Sequence, residues 1–129
     1  MEHAPIPVSG MDASGYMVKD AGRAIAFYRD VFGLEPSWVY PGGHGAEYEL
    51  SDGTTFVLWG GGAQPAMPFQ PSNGILFRVA DVAAAVAALQ ARGIAVQMQT
   101  ETPVCVMAMI ADSEGNTVTL HQRKAAPAR

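Results

Sequence analysis

The stretch Val18-Lys19-Asp20-Ala21-Gly22-Arg23-Ala24-Ile25-Ala26-Phe27-Tyr28-Arg29-Asp30-Val31-Phe32-Gly33-Leu34 decides how the chain is read. It runs from the end of a strand, through a helix, to that helix's stop. Asp20 carries the short carboxylate that satisfies free amides at a helix start. Ile25, Phe27, Tyr28 and Phe32 give residues 21–32 an apolar side, at the spacing that a helix needs. Gly33 follows where a left-handed residue ends the helix.

The same grammar returns sixty-one positions later. Val79-Ala80-Asp81 echoes Val18-Lys19-Asp20, and a second helix is predicted from Val82 to Arg92, with Val82, Val86 and Leu89 on one side and Gly93 at its end. Ser51-Asp52-Gly53-Thr54-Thr55-Phe56-Val57-Leu58 likewise pairs with Ser113-Glu114-Gly115-Asn116-Thr117-Val118-Thr119-Leu120, sixty-two positions on. In each, an acidic-Gly turn opens a strand rich in β-branched residues. Each half therefore reads strand, helix, three strands. The predicted strands are 15–18, 37–40, 46–50 and 55–59, then 75–79, 95–99, 104–110 and 117–121. One such unit is too small to bury its own sheet face, so two are expected to close around one core in an α+β fold.

Composition narrows the function classes. A chain of 129 residues, 49% hydrophobic, suits one domain with a sizeable core. Its modules are expected at about 12–60 and 73–122, joined by a Pro-rich linker at 61–72. The net charge of -4 gives no footprint for nucleic acid or an anionic membrane. Cys105 is the only cysteine, so no intrachain disulfide and no Cys-based metal motif can form, which fits a cytoplasmic protein. No apolar run approaches the roughly 18 residues of a membrane span, and residues 1–7 lack the pattern of a secretory signal. Past Gln122 the chain turns polar and Ala/Pro-rich and is expected to fray.

Tyr16 to Asp20 followed by Arg23 to Leu34, with "FYRDVFGL" as its most specific part, resembles the vicinal oxygen chelate superfamily. That superfamily contains glyoxalase I, extradiol dioxygenases and bleomycin-resistance proteins. Asp112-Ser113-Glu114-Gly115-Asn116-Thr117-Val118-Thr119-Leu120 is similar to its last turn and strand, and Gly74 to Asp81 to the start of its second module. The likeness spans residues 12–122. It implies two βαβββ modules with curved mixed sheets enclosing a cavity, closed within one chain or swapped between two. The metal-dependent relatives bind a divalent ion through His, Glu or Gln on four strands. Those positions fall here at Ala13, Val57, Gly74 and Thr119. Methyl and isopropyl groups have no lone pairs, glycine offers only backbone already used in a ladder, and a neutral hydroxyl is a poor ligand beside imidazole or carboxylate. The repeat makes the same pairs, Ala13 with Gly74 and Val57 with Thr119. A register slip of one residue would bring in Asp12, Asn73 or Phe56. No metal and no other cofactor are expected.

Several residues remain as candidates. His121 shares a strand face with Thr119 and is the best catalytic candidate, since imidazole titrates near neutrality; a ligand contact or a structural strand end are its alternatives. Trp59 falls on the face of Val57, and Trp38 and Tyr40 are in step on another strand. Such aromatic surfaces hold flat or cationic ligands, or pack as core. Glu47 and Glu49 share one face, as a carboxylate pair, as a solvated strand face, or as partners for a cationic ligand. Arg78 alternates with Leu76 and Gly74 and would meet an acidic ligand or a carboxylate such as Glu49. His44 lies in a glycine-rich turn, and Phe69 is a possible lid or dimer contact. Cys105, Met107 and Met109 alternate as an apolar strand face rather than a soft-metal site.

These features favour a metal-free small-molecule binding protein of the bleomycin-resistance-like type, sequestering an aromatic or polycyclic ligand. The ligand contacts expected are Trp59, His121, Thr119, Arg78, Trp38, Tyr40 and Glu49. The resemblance implies a homodimer. The alternative is a glyoxalase-like lyase or isomerase, or a dioxygenase, with an atypical or absent metal site. A third possibility is a relic of the fold that binds nothing small.

Overall fold

A computed structural model describes residues 4–60 and 68–124. The first module consists of β1 (Ser14–Val18), α1 (Ala21–Phe32), β2 (Trp38–Val39), β3 (Gly45–Glu49) and β4 (Thr55–Gly60). The second consists of β5 (Ile75–Arg78), α2 (Val82–Ala91), β6 (Met98–Glu101), β7 (Cys105–Ala111) and β8 (Thr117–Arg123). The sheets have the orders β1-β4-β3-β2 and β5-β8-β7-β6. In each, the first strand runs parallel to the last and the other neighbours are antiparallel. These are the two strand-helix-three-strand units read from the repeat, and the βαβββ modules with mixed sheets that the resemblance implies.

The helix ends follow from the residues named above. Asp20 and Asp81 accept the amides of Arg23 and Ala84, both at 3.0 Å. Gly33 takes φ 67° and returns its amide to the Arg29 carbonyl. α1 and α2 cover one face of each sheet. Beneath them Tyr16, Val18, Ala46, Tyr48, Phe56 and Leu58 are buried in the first module, and Ala108, Ile110, Val118 and Leu120 in the second. The two sets merge. The rings of Phe56 and Phe77 lie 5.0 Å apart, and Tyr28 and Phe32 of α1 both pack on Phe77. Each large side chain so buried contributes about 1.5–3 kcal/mol of transfer free energy. The modules therefore join through their helix-side core, and the opposite sheet faces stay outside it.

The turn Asp112 to Asn116 fastens the second module to the first. Glu114 is fully buried, and its carboxylate accepts the amides of Lys19 and Asp20, each at 2.8 Å, and Arg23 Nε at 2.7 Å. Ser113 adds a bond to the same carboxylate. Burial alone would raise the Glu114 pKa. The bonds from Arg23, the Asp20 amide, Ser113 and the Lys19 amide outweigh it and hold the group at about 2. Asp112 accepts the Tyr28 hydroxyl at 2.8 Å, and Asn116 Nδ2 donates to the Met17 carbonyl at 2.9 Å. Buried polar groups are tolerated when fully bonded in this way.

Three predicted segments differ most, the others agreeing to within a residue at each end. The strand expected at 95–99 begins at Met98, because Ile94 returns its amide to Leu89 to close α2 and cross-strand bonding starts only with Gln97 to Met109. The strand expected at 37–40 is reduced to Trp38–Val39. β8 continues to Arg123, and the Lys124 amide bonds Val104, so the chain is still held past Gln122. The expected fraying beyond residue 124 and the part of the linker at 61–67 lie outside the described residues.

Candidate functional site

The face of the first sheet turned away from α1 carries one rung of Gly15, Val57, Glu47 and Trp38, and a second of Met17, Trp59 and Gly45. Residues directly opposite one another point to the same side. A cavity of about 300 Å³ opens there, lined by Ala13, Gly15, Met17, Val57 and Trp59. At its floor Gly15 lies tight against β4: a Cβ at that position would run into the Val57 carbonyl oxygen. A Cβ at Gly45 would meet the Leu58 carbonyl in the same way, so β1, β4 and β3 approach closely only with glycine at both sites.

An aromatic and acidic cluster lies further across the same sheet face, next to Val57. The rings of Trp38 and Tyr40 meet edge to face at 5.1 Å, and Trp38 is 53% exposed. The Tyr40 hydroxyl donates to Glu47 Oε2 at 3.0 Å. Burial, then the hydrogen bond to Glu47 and its charge, push the Tyr40 pKa to about 12. Glu49 lies one rung further along, exposed, with the Thr55 hydroxyl 3.3 Å from its carboxylate.

The second sheet holds the other candidates. Arg78, His121 and Met107 share a rung, as do Leu76, Thr119 and Met109. Thr119 is only 1% exposed beneath its neighbours, and His121 is half-buried. The Arg78 side chain is 79% exposed, and its guanidinium lies 4.0 Å from Asp52 rather than against Glu49. Cys105 is buried, its sulfur 3.2 Å from the Thr102 hydroxyl, while Met107 and Met109 line the strand face as expected. His44 Nδ1 is buried without a partner among the described residues. Phe69 lies under the Lys19 ammonium, 5.0 Å from the ring centre.

The chain thus brings Trp59, Trp38, Tyr40 and Glu47 to one face and Thr119, His121 and Arg78 to another sheet. A further cavity of about 490 Å³ lies at the seam of the modules, lined in part by Asp12, Ala13, Asp52, Gly74 and Leu76. Ala13 and Val57 line the first cavity, Ala13 and Gly74 the seam, and Thr119 neither. The side chains at these four positions do not fit a metal ion, on donor chemistry or on convergence. Among the described residues no three His, Cys, Asp or Glu side chains gather where they could hold one. Gly15 and Met17 were not read as cavity residues from sequence. The usable signal was the repeat's parallel first and last strands, which set Gly15 beside Val57.

Residues 10–120 match the model of the Glyoxalase/Bleomycin resistance protein/Dioxygenase superfamily. The chain belongs to this superfamily. Among solved structures, it is similar to TnmS3, an antibiotic binding protein from Streptomyces sp. CB03234, at 31% identity over 93% of this chain and 100% of that one, with a TM-score of 0.73. Lactoylglutathione lyase from Agrobacterium tumefaciens shares the fold at 24% identity, covering 91% and 96% of the two chains, with a TM-score of 0.71. A superfamily protein from Catenulispora acidiphila DSM 44928 does so at 21% identity, covering 92% and 100%, with a TM-score of 0.64. No curated protein matches the sequence. Superfamily membership spans ligand-binding proteins and enzymes alike, so side chains rather than fold must choose between them.

Proposed function

We propose that the chain is a metal-free binding protein that sequesters a planar aromatic or polycyclic small molecule on the open face of its first sheet. The observation that carries this reading is the apolar cavity whose floor is Gly15 and Val57 and whose walls are Met17 and Trp59. Small-molecule sites are concave and mostly apolar, with few polar groups at the edge. Trp59 supplies a flat face for stacking, and Trp38, Tyr40, Glu47 and Glu49 lie further across the same sheet face. The similarity to TnmS3, an antibiotic binding protein, supports the same reading.

Every lining residue of this cavity belongs to the first module, and among the described residues its open side takes none from the second. A homodimer in which a second copy covers that side follows from the reading. His121 and Arg78 would then meet the ligand from the partner's second sheet, while Thr119 stays buried beneath its neighbours. The reading also takes the protein as cytoplasmic, acting without nucleic acid or membrane. No helix among the described residues is long and apolar enough to cross a membrane.

The test is metal content together with ligand response. The purified protein is loaded with Ni, Zn, Mn or Fe, dialysed and assayed by elemental analysis, then screened by thermal shift against aromatic antibiotics. The reading expects no stoichiometric metal and a raised melting temperature with planar compounds. One equivalent of retained metal, or turnover of a dicarbonyl adduct lost on His121→Ala, would overturn it.

A further inference from the structure

The sheet face beside the cavity holds a carboxylate whose neighbours are aromatic rather than basic. Glu47 is half-buried on β3, directly opposite Val57 on one side and Trp38 on the other. It accepts the Tyr40 hydroxyl at 3.0 Å, and no lysine, arginine or histidine nitrogen lies within 4.0 Å of it among the described residues. Four basic groups are committed elsewhere: Arg23 to Glu114, Arg29 to Asp30, Lys124 to Glu101, and Arg92 to the Asp30 carbonyl. A half-buried carboxylate has lost part of its hydration, so a cation that approaches it finds a charge with no ion pair to displace. The rings of Trp38 and Tyr40 stand beside it, and Trp59 lies diagonally across the sheet. Aromatic faces and a carboxylate attract the same kind of group, a positive charge attached to or beside a flat apolar body.

We infer that the ligand of this face is a cation: a planar aromatic molecule bearing a protonated amine or amidine, whose charge rests on Glu47 while its ring lies against Trp59 above Gly15 and Val57. This specifies the binding reading above and rests on it. Tyr40 positions the carboxylate by donating to Oε2, which leaves Oε1 for the ligand's N–H. Glu49, one rung away on the same face, adds to the negative field without touching the site.

Three acridines of one shape separate the possibilities: 9-aminoacridine as cation, acridine as neutral ring and acridine-9-carboxylate as anion, at mildly alkaline pH. Binding is read by quenching of tryptophan fluorescence and by calorimetry. The cation is expected to bind at least about tenfold tighter than the neutral ring, and the anion weakest. Glu47→Gln should erase the preference for the cation over the neutral ring and leave the melting temperature within a degree or so. Added salt should weaken only the cation's binding. Equal affinity for all three, or a cation preference that survives Glu47→Gln, would overturn this inference while leaving aromatic binding intact. Failure of all three to bind would overturn both. A Glu47→Gln chain that changes its association state but not its acridine affinities would assign Glu47 to a subunit contact and also overturn the inference.

Discussion

The Glu114 carboxylate, buried in the last turn of the second module, receives Arg23 Nε from the first helix at 2.7 Å. The same carboxylate terminates the amides of Lys19 and Asp20 at the start of that helix. One side chain thus finishes a helix N-terminus in the other half of the molecule. Since α1 packs on β3 and β4, the latch also holds the sheet that forms the cavity.

Replacing Glu114 by alanine should therefore destabilise the chain by roughly 2–3 kcal/mol, the scale for stranding buried donors and one partly exposed guanidinium. Glu114→Gln should cost less, since it keeps one oxygen for the Lys19 and Asp20 amides. Urea titrations of the three proteins check this order.

Acid should act through the same group. Its pKa falls from the ordinary 4.5 to about 2 on folding, so the unfolded chain binds the proton more readily. The stabilisation is complete above about pH 4.5 and is lost as pH falls toward 2. The urea midpoint of the natural chain should drop across that window. Glu114→Gln should drop less there and match its own neutral value more closely.

Tyr28→Phe removes the hydroxyl that bonds Asp112 at 2.8 Å inside the shared core. Asp112 keeps the amides of Glu114 and Asn116 and the Asn116 side chain, so the loss should stay near 1–2 kcal/mol. In the natural chain, burial first and then the Asp112 charge raise the Tyr28 pKa, so its phenol should remain protonated in alkali that ionises free tyrosine. Spectrophotometric titration should show one fewer late-titrating tyrosine in the variant.

Gly15→Ala tests the cavity floor. Its methyl group would meet the Val57 carbonyl, so β1 must move off β4, at more than about 2 kcal/mol. Gly10→Ala, where nothing lies within 4 Å, should be close to neutral. If both melt like the natural chain, the close approach of β1 to β4 is wrong.

Much of the fold was legible because it is written in local signals. α1 spans Ala21–Phe32 as read, since Asp20, the apolar spacing and Gly33 all act within a few residues of the helix. Glu114 was legible only as a turn residue. Its partners lie 91 to 95 positions away, and its repeat counterpart Asp52 makes no such bracket, since Asp52 bonds Thr54 locally and only nears Arg78. The placement of the candidate residues was half legible for the same reason. Alternation along a strand put Trp59 with Val57 and Trp38 with Tyr40, and both pairs stand together on one face. Alternation could not say that Thr119 and His121 belong to a different open face, because that depends on which sides of the sheets the modules use to join. Here the Phe56–Phe77 contact, between residues of the two modules, makes that choice.

The account stands on ligand binding at the open face of the first sheet. Amide chemical shifts followed during titration with 9-aminoacridine test it most directly. The account predicts saturable shifts at Gly15, Met17, Val57 and Trp59, with Glu47 at their edge. Shifts confined to the seam residues Asp52, Gly74 and Leu76, or no saturable shift at all, would contradict it.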